Sequence, residues 1–215
     1  MKLLFILFGV LAAPVLFGQS SKIGAFSTAA DIGNPKNAGS SSYDASSQTY
    51  YLQGSGYNVW FDRDEFHFLY NKMEGDFVLT ADFELVGDSG DPHRKIGWMV
   101  RESDDASAAS MNAVQHGDGL VVMQWRGKQG EQMRDPEDEI FFPGKKVYKT
   151  IQLERKGDVY TMRIGDNPKK LKDVGAHELK LPRSVLAGLF ICSHDENRVE
   201  AVRIKNVKVQ STNGG

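Results

Sequence analysis

The stretch "DFVLTADFELV", residues 76–86, alternates without a break: Phe77, Leu79, Ala81, Phe83 and Leu85 share one face, and Thr80, Asp82 and Glu84 share the other. Successive side chains of a strand point to opposite faces, so the apolar set needs a core and the polar set faces away from it. A half-buried antiparallel strand follows. The same period of two recurs in "TYYLQG" (49–54), "EFHFLYNK" (65–72), "KIGWMVRE" (95–102), "MNAVQH" (111–116) and "LVVMQWR" (120–126). "YKTIQLER" and "DVYTMRIG" are joined by "KG", a hairpin signature. "VLAGLFICS" is apolar on both faces, and "VEAVRIKNVKVQ" slips phase near Lys205 and Asn206 as a β-bulge would. No segment after the leader sustains a helical period over ten residues. The expectation is an all-β fold, a two-sheet antiparallel jelly-roll sandwich, with polar loops at 27–48, 103–110, 127–146 and 165–184.

The chain opens with "MKLLFILFGVLAAPVLFG", in which Lys2 precedes an apolar run and small Gly18 precedes "QSS". That pattern predicts a secretory leader over 1–18 and an exported protein, periplasmic or extracellular, with no membrane span after leader removal. Residues 19–48 read as an N-terminal extension and ordered loop of one domain, 49–210 as the sandwich and 211–215 as a disordered tail. Cys192 is the single cysteine, so an intramolecular disulfide is excluded, and its apolar neighbours predict a buried, inert thiol. With 26 basic against 28 acidic residues and no run of like charge, nucleic acid is not an expected partner. Aromatic residues are plentiful, and their faces suit both a core and the apolar side of a sugar ring.

Taken in order, "DIGNPKNAGSSSYD", "GSGYNVWFDRDEFHF", "GDFVLTADFEL", "PHRKIGWMVRES", "QHGDGLVVMQWR", "LERKGDVYTMRI" and "GLFICSHD" resemble a bacterial exported domain of concanavalin A-like lectin/glucanase fold, found alone or ahead of TolB-like β-propellers. The resemblance covers about residues 23–210. It implies two curved sheets whose concave face receives carbohydrate in lectins and glucanases. It does not imply an activity, because function lives in sites grafted on folds.

Strand parity nominates the contacts. Around the turn "HGDG", Gln124 and Arg126 fall on one face of the second strand, Arg101 takes the matching face of "KIGWMVRE", and His116 stands at the turn's edge. Such planar polar groups pair with sugar hydroxyls, and arginine suits a uronate carboxylate best. Asn58, Trp60 and His67 of "GYNVWFDRDEFHF", with His194 of "CSHD", complete the predicted ligand-binding set, Trp60 as a stacking platform. No catalytic or metal-binding residue is predicted: the histidines show no paired spacing for zinc, and no cofactor is called for. Calcium is the one ion with a candidate site, at Asp88 and Asp91 of "GDSGDP".

The expected function is glycan binding without catalysis, with a poly- or oligosaccharide as partner. The alternative is a polysaccharide lyase or glycoside hydrolase acting on a uronate-containing glycan with the same face, Arg101, Gln124 and His116 supplying the lyase groups. The carboxylates nearest to a glycosidase pair are Glu137 and Glu139, which follow a proline in a charged loop. A third reading is an interaction module that docks an envelope protein.

Overall fold

The computed structural model describes residues 22–87 and 89–212. The predicted leader, Asp88 and residues 213–215 lie outside the described residues. The described chain is strands and turns, built into two seven-stranded antiparallel sheets. The first sheet runs, edge to edge, β1 (Thr28–Ile32), β6 (Phe66–Glu74), β15 (Ser184–Cys192), β8 (Lys95–Arg101), β9 (Ser110–His116), β10 (Val121–Arg126) and β11 (Glu139–Phe141). The second runs β14 (Lys172–Glu178), β13 (Val159–Gly165), β12 (Thr150–Lys156), β7 (Phe77–Leu85), β16 (Asp195–Ser211), β3 (Thr49–Gly56) and β2 (Ser40–Asp44). A small ribbon, β4 (Val59–Trp60) with β5 (Arg63–Asp64), stands apart from both.

The inner faces make the main core. Phe77, Leu79, Ala81 and Phe83 of β7 are at most 2% exposed and meet Ile96, Trp98 and Val100 of β8 from the opposite sheet. Trp98 buries its indole and donates Nε1–H to the carbonyl of Ile151 at 3.0 Å, so its one polar atom is satisfied across the sandwich. The predicted hairpins form as read: Gly157, at φ 59°, turns β12 into β13, and Gly119, at φ 85°, turns β9 into β10. The phase slip of the last strand is a register shift between Lys205 and Lys208, with Asn206 at φ 54°.

Three of the segments expected to be loops contain strands. β1 and β2 lie within 27–48, β11 within 127–146 and β14 within 165–184. All four sit at or next to sheet edges and their burial is shallow, so the contrast between faces that marks an inner strand is missing from their sequences. Of the expected tail only Ser211 and Thr212 are described: β16 continues to Ser211, and Thr212 donates its N–H to the Asp76 carbonyl at 2.9 Å.

A second core covers the outer face of the first sheet. Phe66, Phe68, Met99, Val114, Val122 and Phe190 are at most 1% exposed, packed beneath Val59 of β4, Ile32 of β1 and Met133 of the loop after β10. Strands β8, β9 and β10 are therefore buried on both faces.

Candidate functional site

Parity does what the sequence implies: Arg101, Gln124 and Arg126 project together from β8 and β10 on the outer face of the first sheet. They do not line an open hollow. Arg126 forms a two-pronged pair with Asp64, Nη1 to Oδ2 and Nη2 to Oδ1 both at 2.7 Å, and Arg101 stands 3.5 Å from the same carboxylate. All three side chains are fully buried. Arg101 also donates to the carbonyls of Ser103 and Asp105 and lies 5.0 Å over the Phe66 ring. Gln124 donates Nε2–H to the Val59 carbonyl at 2.8 Å. The groups nominated for a sugar grip residues 58–64 of the chain instead, because a buried guanidinium must be paired and the ribbon supplies both carboxylate and carbonyls.

Asn58 and Trp60 belong to that ribbon. Asn58 is 6% exposed and accepts from Lys95 Nζ at 2.7 Å through Oδ1, while Trp60 is half-buried against the second core. His67 points to the inner side, as its alternation with Phe66 and Phe68 requires, and ends between the sheets rather than at a surface. Its Nδ1 lies 2.7 Å from Asp31 Oδ1 and its Nε2 2.8 Å from Ser41 Oγ, and it is 3% exposed. His67 thereby ties β1, β2 and β6 together.

His116 and His194 meet at one end of the face. His116 is cross-strand partner to Lys95, and His93 Nδ1 approaches His116 Nδ1 to 3.4 Å. The His93 ring centroid lies 5.6 Å from the rings of both His116 and His194. Burial, followed by the nearby Lys95 and His93, holds the His116 imidazole at a pKa of about 2. Burial also lowers His194 and Lys95. Cys192, beside Lys95 in the sheet, is fully buried and its thiol is pushed up to about 11. Asp91, a candidate calcium ligand, accepts the His93 backbone N–H at 2.7 Å. Among the described residues no group of three or more His, Cys, Asp or Glu side chains is placed to hold a metal ion, and no helix is long and apolar enough to cross a membrane.

The open concavities lie elsewhere, on the outer face of the second sheet. A hollow of 660 Å³ begins at the polar face of β7, with Asp82 and Glu84, and extends past Lys205 and Asn206 to Gln115 at the end of the sandwich. A second, of 420 Å³, is lined by Ser40, Ser42, Tyr51 and Gln53 of β2 and β3. Arg203 of β16 borders both. Glu84 and Arg203 form a solvent-exposed pair at 3.1 Å, Asp82 accepts from Thr150 Oγ1 and Asn206 Nδ2, and the Tyr51 ring is 42% exposed. Sequence reading placed Asp82 and Glu84 on a polar face but did not join them to Tyr51, Gln53 and Arg203, because β3 and β16 become neighbours of β7 only through non-local pairing.

These features define an all-β, concanavalin A-like jelly-roll sandwich with a polar track on one face and a plugged face on the other. Solved structures of the same architecture include a functionally unknown protein from Saccharomyces cerevisiae, at 15% identity and TM-score 0.66 over 90% of this chain and all of that one. A carbohydrate-binding module, CBM66, from Bacillus subtilis matches at 14% identity and TM-score 0.50, over 89% of this chain and all of that one. A family 7 alginate lyase in complex with its product matches at 12% identity and TM-score 0.53, over 80% and 83%. No protein-family model and no curated protein matches the chain. At these identities the likeness is one of fold.

Proposed function

We propose that the protein is an exported module that binds a glycan without transforming it, and that the glycan lies along the outer face of the second sheet. The observation that carries this reading is the meeting of the two hollows at Arg203. Each hollow falls within the volume range of ligand sites, and Arg203 lines both. Planar groups that donate or accept in pairs, Gln53, Glu84 and Arg203, fit vicinal hydroxyls, and the exposed Tyr51 ring offers a flat apolar surface. The Glu84–Arg203 pair is exposed and so contributes little to stability, leaving both groups free to exchange partners for a ligand. A carbohydrate-binding module among the structural neighbours supports the substrate class. The apolar leader at 1–18 supports export to the periplasm or the cell exterior.

The lyase alternative loses support from the occupation of Arg101 and Gln124 by the chain's own ribbon, which removes the groups that would neutralise a uronate. The test is retention of the purified chain on an array of neutral and acidic oligosaccharides. Tyr51→Ala and Arg203→Ala should each weaken retention about tenfold, as loss of a stacking face or a charged hydrogen bond does, while leaving the melting temperature in place. Undiminished retention by both variants removes the track as the site, and appearance of new reducing ends or unsaturated uronyl products removes the non-catalytic reading.

A further inference from the structure

Lys95 is a buried amine with no carboxylate in direct contact among the described residues: Asp91, Asp64 and Glu139 act on it only at longer range. The residue is 4% exposed, and its Nζ donates to two neutral oxygens, Asn58 Oδ1 at 2.7 Å and the His93 carbonyl at 3.3 Å. No carboxylate among the described residues forms an ion pair with it. Its neighbours are treated differently: Arg94 pairs with Glu200 at 2.8 Å, and Arg126 with Asp64 at 2.7 Å. A buried charge is ordinarily paired, and an ammonium has three protons to donate, of which two find acceptors here.

The side chains around Lys95 are short of partners as well. His116 Nε2 and His194 Nδ1 are buried and make no hydrogen bond. A buried polar atom left unpaired is costly, and two such atoms beside one buried amine set this cluster apart. The cluster reaches solvent through His93, which is exposed, and His194, which is half-buried. Nitrogen is therefore concentrated at one end of the first sheet: one ammonium and three imidazoles, drawn from β8 and the residues before it, the end of β9 and the turn between β15 and β16.

We infer that Lys95, His93, His116 and His194 form a binding site for an oxyanion, a carboxylate or a sulfate group. Such a group supplies what the cluster lacks: negative charge for the Lys95 ammonium and acceptor oxygens for imidazole N–H groups, in a setting where charge-assisted hydrogen bonds are strong. A metal cation would add to the positive charge already there. Burial depresses the proton affinity of both Lys95 and His116, and at His116 the nearby Lys95 and His93 add to it; an anion in contact with them opposes these effects. The side chains of this cluster lie on the outer side of the first sheet, whereas the track runs over the outer face of the second and only its far end, at Arg94, Gln115 and Gly117, comes near; the two sites are tested by separate readouts.

The experiment follows the ring-nitrogen resonances of all five histidines in the full chain during titration with sodium sulfate, against sodium chloride at equal ionic strength. His93, His116 and His194 should shift saturably with sulfate, and His67, held by Asp31 and Ser41, should not. Lys95→Met should weaken sulfate about tenfold or more, the loss of one charged hydrogen bond. Because Lys95 is buried and its replacement could disturb folding, His93→Ala at the exposed mouth is the second variant, and it too should weaken binding. Digalacturonate in place of sulfate identifies the source: tighter binding at the same resonances assigns the anion to an acidic sugar, and tighter sulfate assigns it to a free ion. Shifts that follow chloride equally, or saturable shifts unchanged in both variants, overturn the site. In either outcome retention of neutral glycans on the second sheet is unaffected by His93→Ala.

Discussion

Asp64 and Arg126 meet through two parallel hydrogen bonds of 2.7 Å, wholly out of contact with solvent, and the same carboxylate lies 3.5 Å from Arg101. One acid thus holds two bases and fastens the ribbon onto the first sheet. Removing its charge leaves two guanidiniums buried with only carbonyl partners. Asp64→Asn should therefore lower unfolding free energy by about 3–5 kcal/mol, the range for breaking a buried pair from one side. Urea denaturation measures it, and a loss below about 1 kcal/mol would mean that apolar packing of Val59 and Met133 holds the ribbon without the charge.

His116 gives stability a definite pH dependence. Its folded pKa of about 2 lies below the ordinary 6.5, so the unfolded chain binds a proton that the folded chain refuses. Stability is then fully present above about pH 6.5 and falls as the solution is acidified toward the folded value. From pH 7 to pH 5 this one group should cost about 2 kcal/mol, and His116→Gln should remove that part of the slope in chloride buffer. A variant with the wild-type slope would contradict burial of the neutral ring.

Glu139 acts in the opposite direction. Burial first, then the charge and hydrogen bond of Asp135, raise its carboxyl to about 7 from 4.5. Its contribution is present below the unfolded value and is lost as pH rises through about 7. Glu139→Gln should match wild type at pH 4 and be the more stable protein at pH 8. Equal stability at both values would contradict the burial of Glu139 beside Asp135.

Gly39 and His67 should behave as a single unit. A Cβ at Gly39 would fall 2.3 Å from His67 Nδ1, and that ring is fixed by Asp31 and Ser41. Gly39→Ala and His67→Ala should each destabilise by about 1–3 kcal/mol, and the double variant by less than their sum, since truncation removes the ring atoms at 2.3 and 2.4 Å while the Cβ of position 67, at 2.6 Å, keeps part of the clash. Strict additivity in thermal denaturation would sever the two positions.

How far the fold could be read in advance follows from where each strand sits. Strands with one face in the core, such as β7, declare themselves by alternation, and turns such as that at Gly157 by their glycines. Edge strands such as Ser40–Asp44 carry no such contrast, and only pairing with β3 makes them strands. The site was legible in part. Parity correctly gathered Arg101, Gln124 and Arg126 on one face, but parity says nothing about what lies above that face. The occupant is Asn58–Asp64, whose "NVWFDRD" has no strong strand signal and whose Asp64 is 62 residues from Arg126. An apolar Val59 and a lone acid before "EFHF" were the available hints. The lack of a carboxylate in contact with Lys95 could not be read at all, since it is a property of neighbours assembled from distant parts of the chain.

The order in which the strands are made sets a limit on how the molecule can be born. β16 lies between β7 and β3 and pairs with both, yet it follows every other described strand in chain order. Until Asp195–Ser211 is available, the second sheet is two separate pieces with bare edges, so the sandwich can close only after the last described strand has been made. Truncation before residue 195 would yield two half-sheets prone to pair with other copies, whereas trimming beyond Thr212 would leave every ladder among the described residues intact.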